Sequence, residues 1–322
     1  MIVLVSGGAG YIGSHTAKLL RARGHTPVVL DDLSAGHREF VRFGPFDQGD
    51  VRDEAFVADV LTRRRVEAVI HFAAKIEVEE SVRQPEAYFS TILGGTRSLL
   101  AAMQRAGVRR LVFSSTCAVY GPTRAERIAE DHPLAPASPY AQAKLQAEQA
   151  IAAADFGLRW ACLRYFNVIG ADPDRELWEW HEPETHVVPN LLRALREGRP
   201  FTLYGTDHPT PDGTAIRDYV DVLDLAAVHL EALERLESVP GCTSNVGAGR
   251  GLSVRELLAA VRAVALQAGA DGSIAVEERP RRPGDVPRLV ADDTYLRSWS
   301  ETARRGLRPV QDSLRAMLAA GR

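Results

Sequence analysis

A tyrosine and a lysine four positions apart are the side chains in this sequence best suited to moving a proton. Tyr140 and Lys144 follow Ser138-Pro139, which is typical of a helix start, and residues four apart share one helical face. A free tyrosine has a pKa near 10, and a nearby ammonium favours the phenolate. Lowering that pKa by about three units needs roughly 4 kcal/mol, which one partly desolvated charge can supply. The pair therefore predicts a phenolate base acting on a hydroxyl group.

Three hydroxyl side chains end an apolar run that precedes this pair. Ser114, Ser115 and Thr116 follow a segment that we predict to be a buried strand. In an open α/β sheet, ligands bind at the carboxyl ends of the strands. Thr116 can hydrogen bond the same hydroxyl group that Tyr140 would deprotonate. The alternative is that these side chains only satisfy the backbone of the turn.

A glycine-rich turn near the start of the chain can hold a diphosphate. Gly7, Gly10 and Gly13 have the G-x-x-G-x-x-G spacing, and Gly8 adds a G-x-G-x-x-G pattern, between a predicted strand and a predicted helix. Glycines allow the backbone to approach a pyrophosphate, and the helix N-terminus attracts its charge. Asp31 ends the next predicted strand, where a carboxylate accepts from ribose hydroxyls and repels a 2′-phosphate. The combination predicts NAD rather than NADP. The positive nicotinamide ring of NAD would also favour the phenolate of Tyr140.

The charge balance and the apolar pattern exclude other classes of protein. Lys and Arg total 39 and Asp and Glu total 42, for a formal charge of −3 and a pI of about 6.3. This balance offers no basic face to nucleic acid or to an anionic membrane. No apolar run is long enough to span a bilayer, and no basic leader precedes the glycine turn. We therefore expect a cytoplasmic protein with neither a nucleic-acid nor a membrane partner.

The cysteines and histidines predict no metal and no disulfide. Cys117, Cys162 and Cys242 form no CxxC pair, which argues against a disulfide framework and a zinc site. His181 and His186 lie five positions apart in a loop rich in proline and glutamate, which is a poor spacing for metal ligands. We expect a fold that depends on its apolar core alone.

Short Val- and Leu-rich runs alternate with amphipathic stretches in the first half of the chain. Strands are predicted at 2–6, 27–31, 68–72, 110–115 and 160–165, and helices at 11–23, 93–106 and 141–154. This alternation predicts an α/β fold with a Rossmann-type doubly wound parallel sheet, covered by helices on both faces.

The second half has long loops and fewer apolar runs. Pro, Gly and Asp cluster at 172–183 and 205–213, helices are predicted at 188–197, 222–236 and 254–268, and 280–285 is predicted to be a loop. We expect residues 1–172 to form the NAD-binding Rossmann domain and residues 173–322 a smaller α/β substrate-binding domain. A segment near 215–240 is expected to return to the first domain.

Motifs spread over nearly the whole chain resemble the extended short-chain dehydrogenase/reductases. They are typical in combination of the nucleotide-sugar enzymes in that superfamily, and are most similar to the branch that interconverts UDP-glucose and UDP-galactose. The matching stretches are 7–15, 49–52, 71–74, 138–140 with Lys144, 163–167, 212–214 with 217–220, 245–247, and Arg282-Pro283-Gly284-Asp285.

The resemblance implies a role for each matching residue. The NAD site would be lined by Gly7, Gly10, Tyr11, Ile12, Gly13, Asp31, Asp50, Val51, Phe72, Ala73 and Tyr165, with Tyr140 and Lys144 at the nicotinamide ribose. The UDP-sugar would be bound by Thr116, Asn167, Arg217, Tyr219, Arg282, Asp285 and Leu289. Guanidinium groups from two separate loops can clamp a pyrophosphate with charge-assisted hydrogen bonds. The resemblance also implies a homodimer paired through the helices at 93–106 and 141–154, whose apolar faces could equally be core.

Three positions depart from the pattern of the family. Ile92 stands where relatives often have an asparagine that contacts the cofactor phosphates, so that contact is lost or moved. Thr116 replaces a common serine and keeps the hydroxyl. Leu289 holds the position whose bulk limits the substituent on sugar carbon 2, and its intermediate size leaves N-acetylated sugars open.

The implied reaction is epimerisation at carbon 4 of a UDP-hexose. Phenolate Tyr140 would take the proton of the 4-hydroxyl while a hydride passes to NAD, and the 4-keto sugar would turn and be reduced on its other face. Alternatives are 4-epimerisation of another UDP-sugar (N-acetylated hexose, uronate or pentose) and, less favoured, a non-catalytic NAD-binding regulatory protein. A 4,6-dehydratase needs an acidic pair where Cys117 and Ala118 stand, so elimination of water is not expected.

Overall fold

Strands and helices alternate through the first half of the chain, and the second half adds two smaller sheets. The computed structural model describes residues 1–282 and 285–320. The strands are β1 (Ile2–Ser6), β2 (Thr26–Asp31), β3 (Phe46–Gln48), β4 (Ala68–His71), β5 (Arg110–Thr116), β6 (Arg159–Tyr165), β7 (Asn167–Ile169), β8 (Phe201–Tyr204), β9 (Ile216–Asp221), β10 (Gly241–Val246), β11 (Gly251–Ser253), β12 (Val276–Arg279) and β13 (Arg288–Leu289).

Most of the helices lie between these strands, and the last three follow β13. They are α1 (Tyr11–Ala22), α2 (Glu54–Arg63), α3 (Val78–Arg83), α4 (Pro85–Tyr88), α5 (Gly95–Ala106), α6 (Pro139–Ala152), α7 (Val187–Glu197), α8 (Val222–Arg235), α9 (Val254–Gln267), α10 (Thr294–Trp299), α11 (Glu301–Arg305) and α12 (Val310–Ala320). A π-helical segment, Phe89–Gly94, leads into α5, and short 3₁₀ turns cover Arg38–Phe40 and Cys117–Tyr120. None of the helices in the described part of the chain has the length and apolar character needed to cross a bilayer.

The predicted Rossmann-type parallel sheet is confirmed. Seven parallel strands lie in the order β10-β6-β5-β4-β1-β2-β3, so the five strands predicted from apolar runs form its centre. Val3 is in register with Pro27 on one side and Ala68 on the other. Because side chains alternate along a strand, Leu4 packs on one face of the sheet while Val3 and Val5 pack on the other.

Helices cover both faces, which is why these strands are apolar throughout. Helices α2, α5 and α6 contribute Val57, Leu99 and Ala147 to the core on the Leu4 face. Helices α1 and α8 pack together on the opposite face, where Leu20 and Leu225 are fully buried. The sheet is therefore doubly wound, as the alternation of strands and helices predicts.

The second half forms two small sheets with a core of their own. One sheet has the order β11-β9-β13 with β7 also paired to β9, and the other pairs β12 with β8. Val188 of α7, Leu257 of α9 and Leu314 of α12 pack over them. Helix α8 packs on α1 at one face of the large sheet, and β10 pairs with β6 at its edge. The apolar pattern missed β10 because its residues, Gly-Cys-Thr-Ser-Asn-Val, include few large apolar side chains.

A buried ion pair ties α6 to the large sheet. Arg164 of β6 donates two hydrogen bonds to Glu148 of α6, at 2.9 Å to Oε1 and 2.6 Å to Oε2, and Ser115 donates to the same carboxylate. Arg164 also donates to the hydroxyl of Tyr120, which donates at 2.7 Å to Asn245 of β10. Both charged side chains are almost fully buried, so each depends on the other.

We expect Arg164→Met to lower the free energy of unfolding by about 3–5 kcal/mol, because it leaves the Glu148 carboxylate buried without its partner. Urea unfolding followed by circular dichroism measures this loss. Arg305→Met removes an exposed partner of Glu301 and should change stability by less than about 1 kcal/mol. A loss equal to that of the control would contradict the assigned role of the buried pair.

Candidate active site

Seven parallel strands bring their carboxyl ends to one edge of the sheet, and most of the candidate residues lie there. Ser6, Asp31, His71, Thr116 and Tyr165 are the last residues of β1, β2, β4, β5 and β6. Ligands bind at this edge in open α/β sheets. The topology therefore gathers residues that are far apart in the sequence.

The glycine turn after β1 has no room for side chains at Gly7, Gly8 and Gly13. Gly7 has a φ of +72°, and a Cβ there would lie 2.6 Å from the backbone nitrogen of Ala73. A Cβ on Gly13 would lie 2.2 Å from the carbonyl oxygen of Gly7. Gly10 precedes α1 and has no side chain to cap it, so the first N–H groups of the helix are left for a ligand. This is a cradle for a phosphate group.

Asp31 lies beside this turn, as the sequence predicts. Its Oδ2 accepts from the backbone of Ala9 at 3.0 Å, and its Oδ1 accepts from the backbone of Leu33 at 2.9 Å. Burial raises the pKa of Asp31, against the effect of these two hydrogen bonds. The carboxylate is thus held in a fixed orientation where it can accept from the hydroxyls of a ribose.

The other residues of the predicted cofactor set lie around the same edge. Asp50 follows β3 and forms an ion pair with Arg52 at 2.5 Å. Val51 is buried below α5, Phe72 and Ala73 directly follow β4, and Ile12 packs against the core below the turn. The hydroxyl of Tyr11 donates to the carbonyl of Gly170 at 2.6 Å, so its backbone rather than its phenol faces the turn.

Tyr140 and Lys144 lie on the buried face of α6, close to the end of β5. Ser138 caps this helix by accepting from Ala141 at 3.2 Å. Lys144 is 2% exposed, and its Nζ donates to the carbonyl of Ser114 at 2.6 Å. Burial lowers the pKa of Lys144 to about 7, whereas the charge of Glu148 acts to raise it. The structure thus brings the lysine, the tyrosine and the end of β5 together.

Burial raises the pKa of Tyr140 to about 12, and a hydrogen bond with the side chain of Thr116 offsets this only in part. The Nζ of Lys144 donates to the carbonyl of Ser114 at the end of β5. A positively charged ring bound beside Tyr140, as the sequence predicts for NAD, would favour the phenolate.

The hydroxyl of Tyr165, a predicted cofactor residue, donates to Ser114 Oγ. Two polar contacts nearby were not predicted from the sequence: His71 Nδ1 lies 2.6 Å from Ser6 Oγ, and Glu148 accepts from Arg164. Burial, with a smaller contribution from Lys144, lowers the pKa of His71 to about 3, so the ring is neutral. A usable signal was present in α6, where Glu148 follows Lys144 at the same spacing of four and thus shares its face.

The predicted substrate residues come from the second half of the chain. Arg217 Nη2 lies 2.5 Å from Asp285 Oδ1. Asn167 of β7 is in register with Tyr219 of β9. Within residues 1–282 and 285–320, the buried hydroxyl of Tyr219 has no hydrogen-bond partner. An unpaired buried hydroxyl next to an arginine suits a polar ligand.

Two further substrate predictions lie at the rim of this region. The guanidinium of Arg282 is half-exposed and lies 4.3 Å from the ring centroid of Tyr204. Leu289 of β13 packs against the apolar cluster that follows Thr116, which brings it to the end of β5. Pro283 and Gly284, which belong to the motif at 282–285, lie outside the described residues.

Ile92 is buried and belongs to the core on the Leu4 face of the sheet. It lies in the π-helical segment before α5, and its carbonyl accepts from Thr96 at 2.6 Å. Its apolar side chain packs into the core and has no group that could hydrogen bond a phosphate.

Comparison with known proteins agrees with this fold and shows the family of the chain. The model of the NAD dependent epimerase/dehydratase family matches residues 3–247, and the chain belongs to this family. It is 46% identical over 299 residues to a UDP-glucose 4-epimerase of Rhizobium leguminosarum bv. trifolii, which covers 92% of this chain and 90% of the relative. The resemblance inferred from the motifs is confirmed.

Solved structures of similar enzymes superpose on almost the whole chain. The UDP-glucose 4-epimerase from Brucella ovis in complex with NAD has a TM-score of 0.92 at 42% identity, covering 99% of this chain and 98% of that chain. The enzyme from Stenotrophomonas maltophila with bound NAD and formylated UDP-arabinopyranose has a TM-score of 0.93 at 34% identity, covering 99% and 97%.

The buried position of Lys144 predicts a pH-dependent stability in nucleotide-free protein. Its pKa is about 7 in the folded chain against 10.5 ordinarily, so between these values the unfolded chain binds more protons. The free energy of unfolding contributed by this group therefore increases as the pH rises through this range. Lys144→Met should remove that increase.

Urea unfolding at pH values of about 7 and about 9.5 measures the difference. Lys75→Met, which changes a partly exposed lysine, is the control and should keep the slope of the wild-type protein. Equal slopes for Lys144→Met and the wild type would contradict the assignment.

Proposed function

We propose that the protein interconverts UDP-glucose and UDP-galactose by NAD-dependent epimerisation at carbon 4. The main support for this proposal is the cluster of three polar side chains, Tyr140, Thr116 and Lys144, at the carboxyl end of β5. A phenol hydrogen bonded to a threonine can exchange a proton with a sugar hydroxyl. The similarity to UDP-glucose 4-epimerases over 92% of the chain supports the choice of reaction.

The glycine turn and Asp31 fit NAD. The space at Gly7 and Gly13 excludes any Cβ, the start of α1 offers free N–H groups, and Asp31 suits an unphosphorylated ribose. When bound, NAD supplies an acceptor that takes the hydride of carbon 4 and later returns it, and a positive ring that favours a phenolate. Of the predicted residues, Asp50, Val51, Phe72, Ala73 and Tyr165 would complete the site.

Tyr140 acts as the base and then as the acid. Its phenolate takes the proton of the 4-hydroxyl. After the 4-keto sugar turns, the phenol would return that proton to the oxygen on carbon 4 as the hydride is returned to the opposite face of that carbon. Thr116 hydrogen bonds the hydroxyl at the reacting carbon and orients it. Lys144 positions the end of β5 through the Ser114 carbonyl. Because its pKa lies near 7, it can also share its proton with the ribose at the site.

The UDP part is held by residues of the second half of the chain. Arg217 and Arg282 bind the pyrophosphate, while Asn167, Tyr219 and Asp285 bind the nucleoside. Arg217 already faces Asp285 and so is fixed before the ligand arrives. Interactions with this non-reacting part hold the substrate while the sugar stays free to turn. Leu289 offers an apolar wall to the sugar.

The remaining parts of the proposal concern organisation and location. Residues 1–172 with α8 and β10 form the cofactor domain, and the small sheets with α7, α9 and α12 form the substrate domain. We also propose a cytoplasmic location and a homodimer paired through α5 and α6. The dimer is supported by exposed apolar side chains on α3 beside α6, among them Val78 and Val82. The alternative of a non-catalytic NAD-binding protein is not favoured, because Tyr140, Thr116 and Lys144 are assembled.

Incubation with UDP-galactose in the presence of NAD and without added reductant tests the reaction directly. Chromatography should show UDP-glucose, and a parallel reaction with UDP-N-acetylgalactosamine reports whether Leu289 admits an N-acetyl group. Tyr140→Phe should lower kcat by about 10²- to 10⁴-fold, since it removes the acid–base group. Tyr295→Phe, on α10, is the matched control and should retain the wild-type rate. An unchanged rate in Tyr140→Phe, or no conversion by the wild type, would refute the proposal.

The glycine turn allows an independent test of cofactor binding. In Gly13→Ala, the new Cβ meets the Gly7 carbonyl at 2.2 Å, so the turn must move and the affinity for NAD should fall at least about tenfold. Gly94→Ala, in the π-helical segment before α5, is the control, because its Cβ would lie 3.8 Å from the nearest atom, the carbonyl oxygen of Phe89. Isothermal titration calorimetry on nucleotide-free protein compares the two. Equal affinities would show that the turn does not approach the cofactor.

A further inference from the structure

Four side chains from one loop converge just before α7, away from Tyr140. Glu179, His181, Glu184 and His186 each direct one ligand atom into a common space, and all four atoms lie within 4.8 Å of one another. The sequence spacing of these histidines predicts no metal site. The path of the loop in space nonetheless brings both imidazoles and both carboxylates together.

Each imidazole nitrogen lies at a distance from the carboxylate oxygens close to that between two ligands of one ion, and Glu184 presents a different oxygen to each imidazole. His186 Nδ1 lies 3.0 Å from Glu179 Oε1 and 3.1 Å from Glu184 Oε1. His181 Nδ1 lies 3.6 Å from Glu179 Oε1 and 3.7 Å from Glu184 Oε2. Nitrogen and oxygen ligands arranged tetrahedrally around zinc are about 3.3–3.5 Å apart. The two distances from His186 are shorter than this range, and the two from His181 are longer.

Two buried polar atoms in this group lack a partner. Within the described ranges, neither Glu179 Oε2 nor His181 Nδ1 has a hydrogen bond. The Glu179 side chain is 3% exposed and that of His181 is 16% exposed, so water reaches them poorly. A carboxylate oxygen buried without a partner is costly, and a bound cation would remove that cost.

A second acidic group in the chain provides a contrast. Asp172, Asp174 and Glu176 also approach one another, but Lys18 Nζ lies 2.7–2.8 Å from all three carboxylates. An ammonium already occupies the place of a cation there. No lysine or arginine is within salt-bridge distance of Glu179 or Glu184 in the described part of the chain.

We propose that Glu179, His181, Glu184 and His186 form a binding site for one divalent transition-metal ion, with zinc as the best match to two imidazoles and two carboxylates. The ion joins the two ends of the loop, because its ligands span positions 179–186. The site is structural, since all four positions are filled by protein and none remains for a reacting molecule.

The position of the site suggests what the ion would stabilise. The ring of His181 lies 6.5 Å from that of Tyr11, the first residue of α1. Trp180 in the same loop stacks on His37 at 3.8 Å, in the segment that follows Asp31. A metal at this place would hold the loop against the glycine turn and the Asp31 segment.

Metal binding to nucleotide-free protein, treated with a chelator and then dialysed, tests the proposal. Titration with Zn²⁺ and with Co²⁺ should show one equivalent bound, and Co²⁺ should give the intense visible absorption of a tetrahedral site. Saturating Zn²⁺ should raise the melting temperature by roughly 4–8 °C. Glu179→Gln and His181→Ala should each weaken binding by at least about 100-fold and abolish the shift.

Asp174→Asn, in the group around Lys18, is the matched control and should bind Zn²⁺ as the wild type does. Melting of the metal-free variants by circular dichroism shows that they fold. The proposal is overturned if the wild type binds no Zn²⁺ or Co²⁺, which leaves an ion-pair cluster only. It is also overturned if the double variant Glu179→Gln/His181→Ala binds as tightly as the wild type. These measurements use no sugar substrate, so their outcome is independent of the epimerase assay.

Discussion

A helix with charged groups on its buried face is the constraint on which the site depends. Helix α6 packs against the large sheet through Lys144 and Glu148, whose charges would be very unfavourable there without partners. The carbonyl of Ser114 accepts from the lysine, and Arg164 with Ser115 satisfies the glutamate. Because these bonds reach β5 and β6, the helix has one position along the sheet, and Tyr140 is held at the carboxyl edge.

The carboxyl edge of the large sheet follows from how consecutive strands and helices connect along the chain. Parallel strands joined by right-handed crossovers have all their carboxyl ends on one side. The residue after each strand therefore faces the same region, whether it follows β1, β2 or β5. The glycine turn adds backbone N–H groups there, and Asp31 adds an acceptor. The hydrogen-bonded hydroxyls of Tyr140 and Thr116 thus lie at the same edge of the sheet as the glycine turn, although their sequence segments are far apart.

The second half of the chain supplies a different kind of surface. Strand β9 carries Arg217, which pairs with Asp285, and Tyr219, whose buried hydroxyl has no partner among the described residues. Burial raises the pKa of Cys117, which directly follows Thr116, and the charge of Arg217 acts against that shift. Leu289 of β13 packs in the apolar cluster that contains Cys117.

The sequence by itself determined the central sheet, because residues buried on both faces of a strand must be apolar and such runs are visible in one dimension. It also determined the glycine turn, Asp31 and the pair Tyr140 and Lys144, whose spacing follows from strand, turn and helix geometry. Short strands such as β3 and β10 were missed, since their pairing rather than their composition makes them strands.

Only the tertiary structure decided the properties that depend on neighbours distant in sequence. Burial raises the pKa of Tyr140, and packing places the Lys144 ammonium at the Ser114 carbonyl. The pairing of Arg164 with Glu148 and of Arg217 with Asp285 joins residues 16 and 68 positions apart. The meeting of His181 and His186 with two glutamates depends on the path of one loop. Distances of this kind arise from the folded chain and leave no periodic pattern in the sequence.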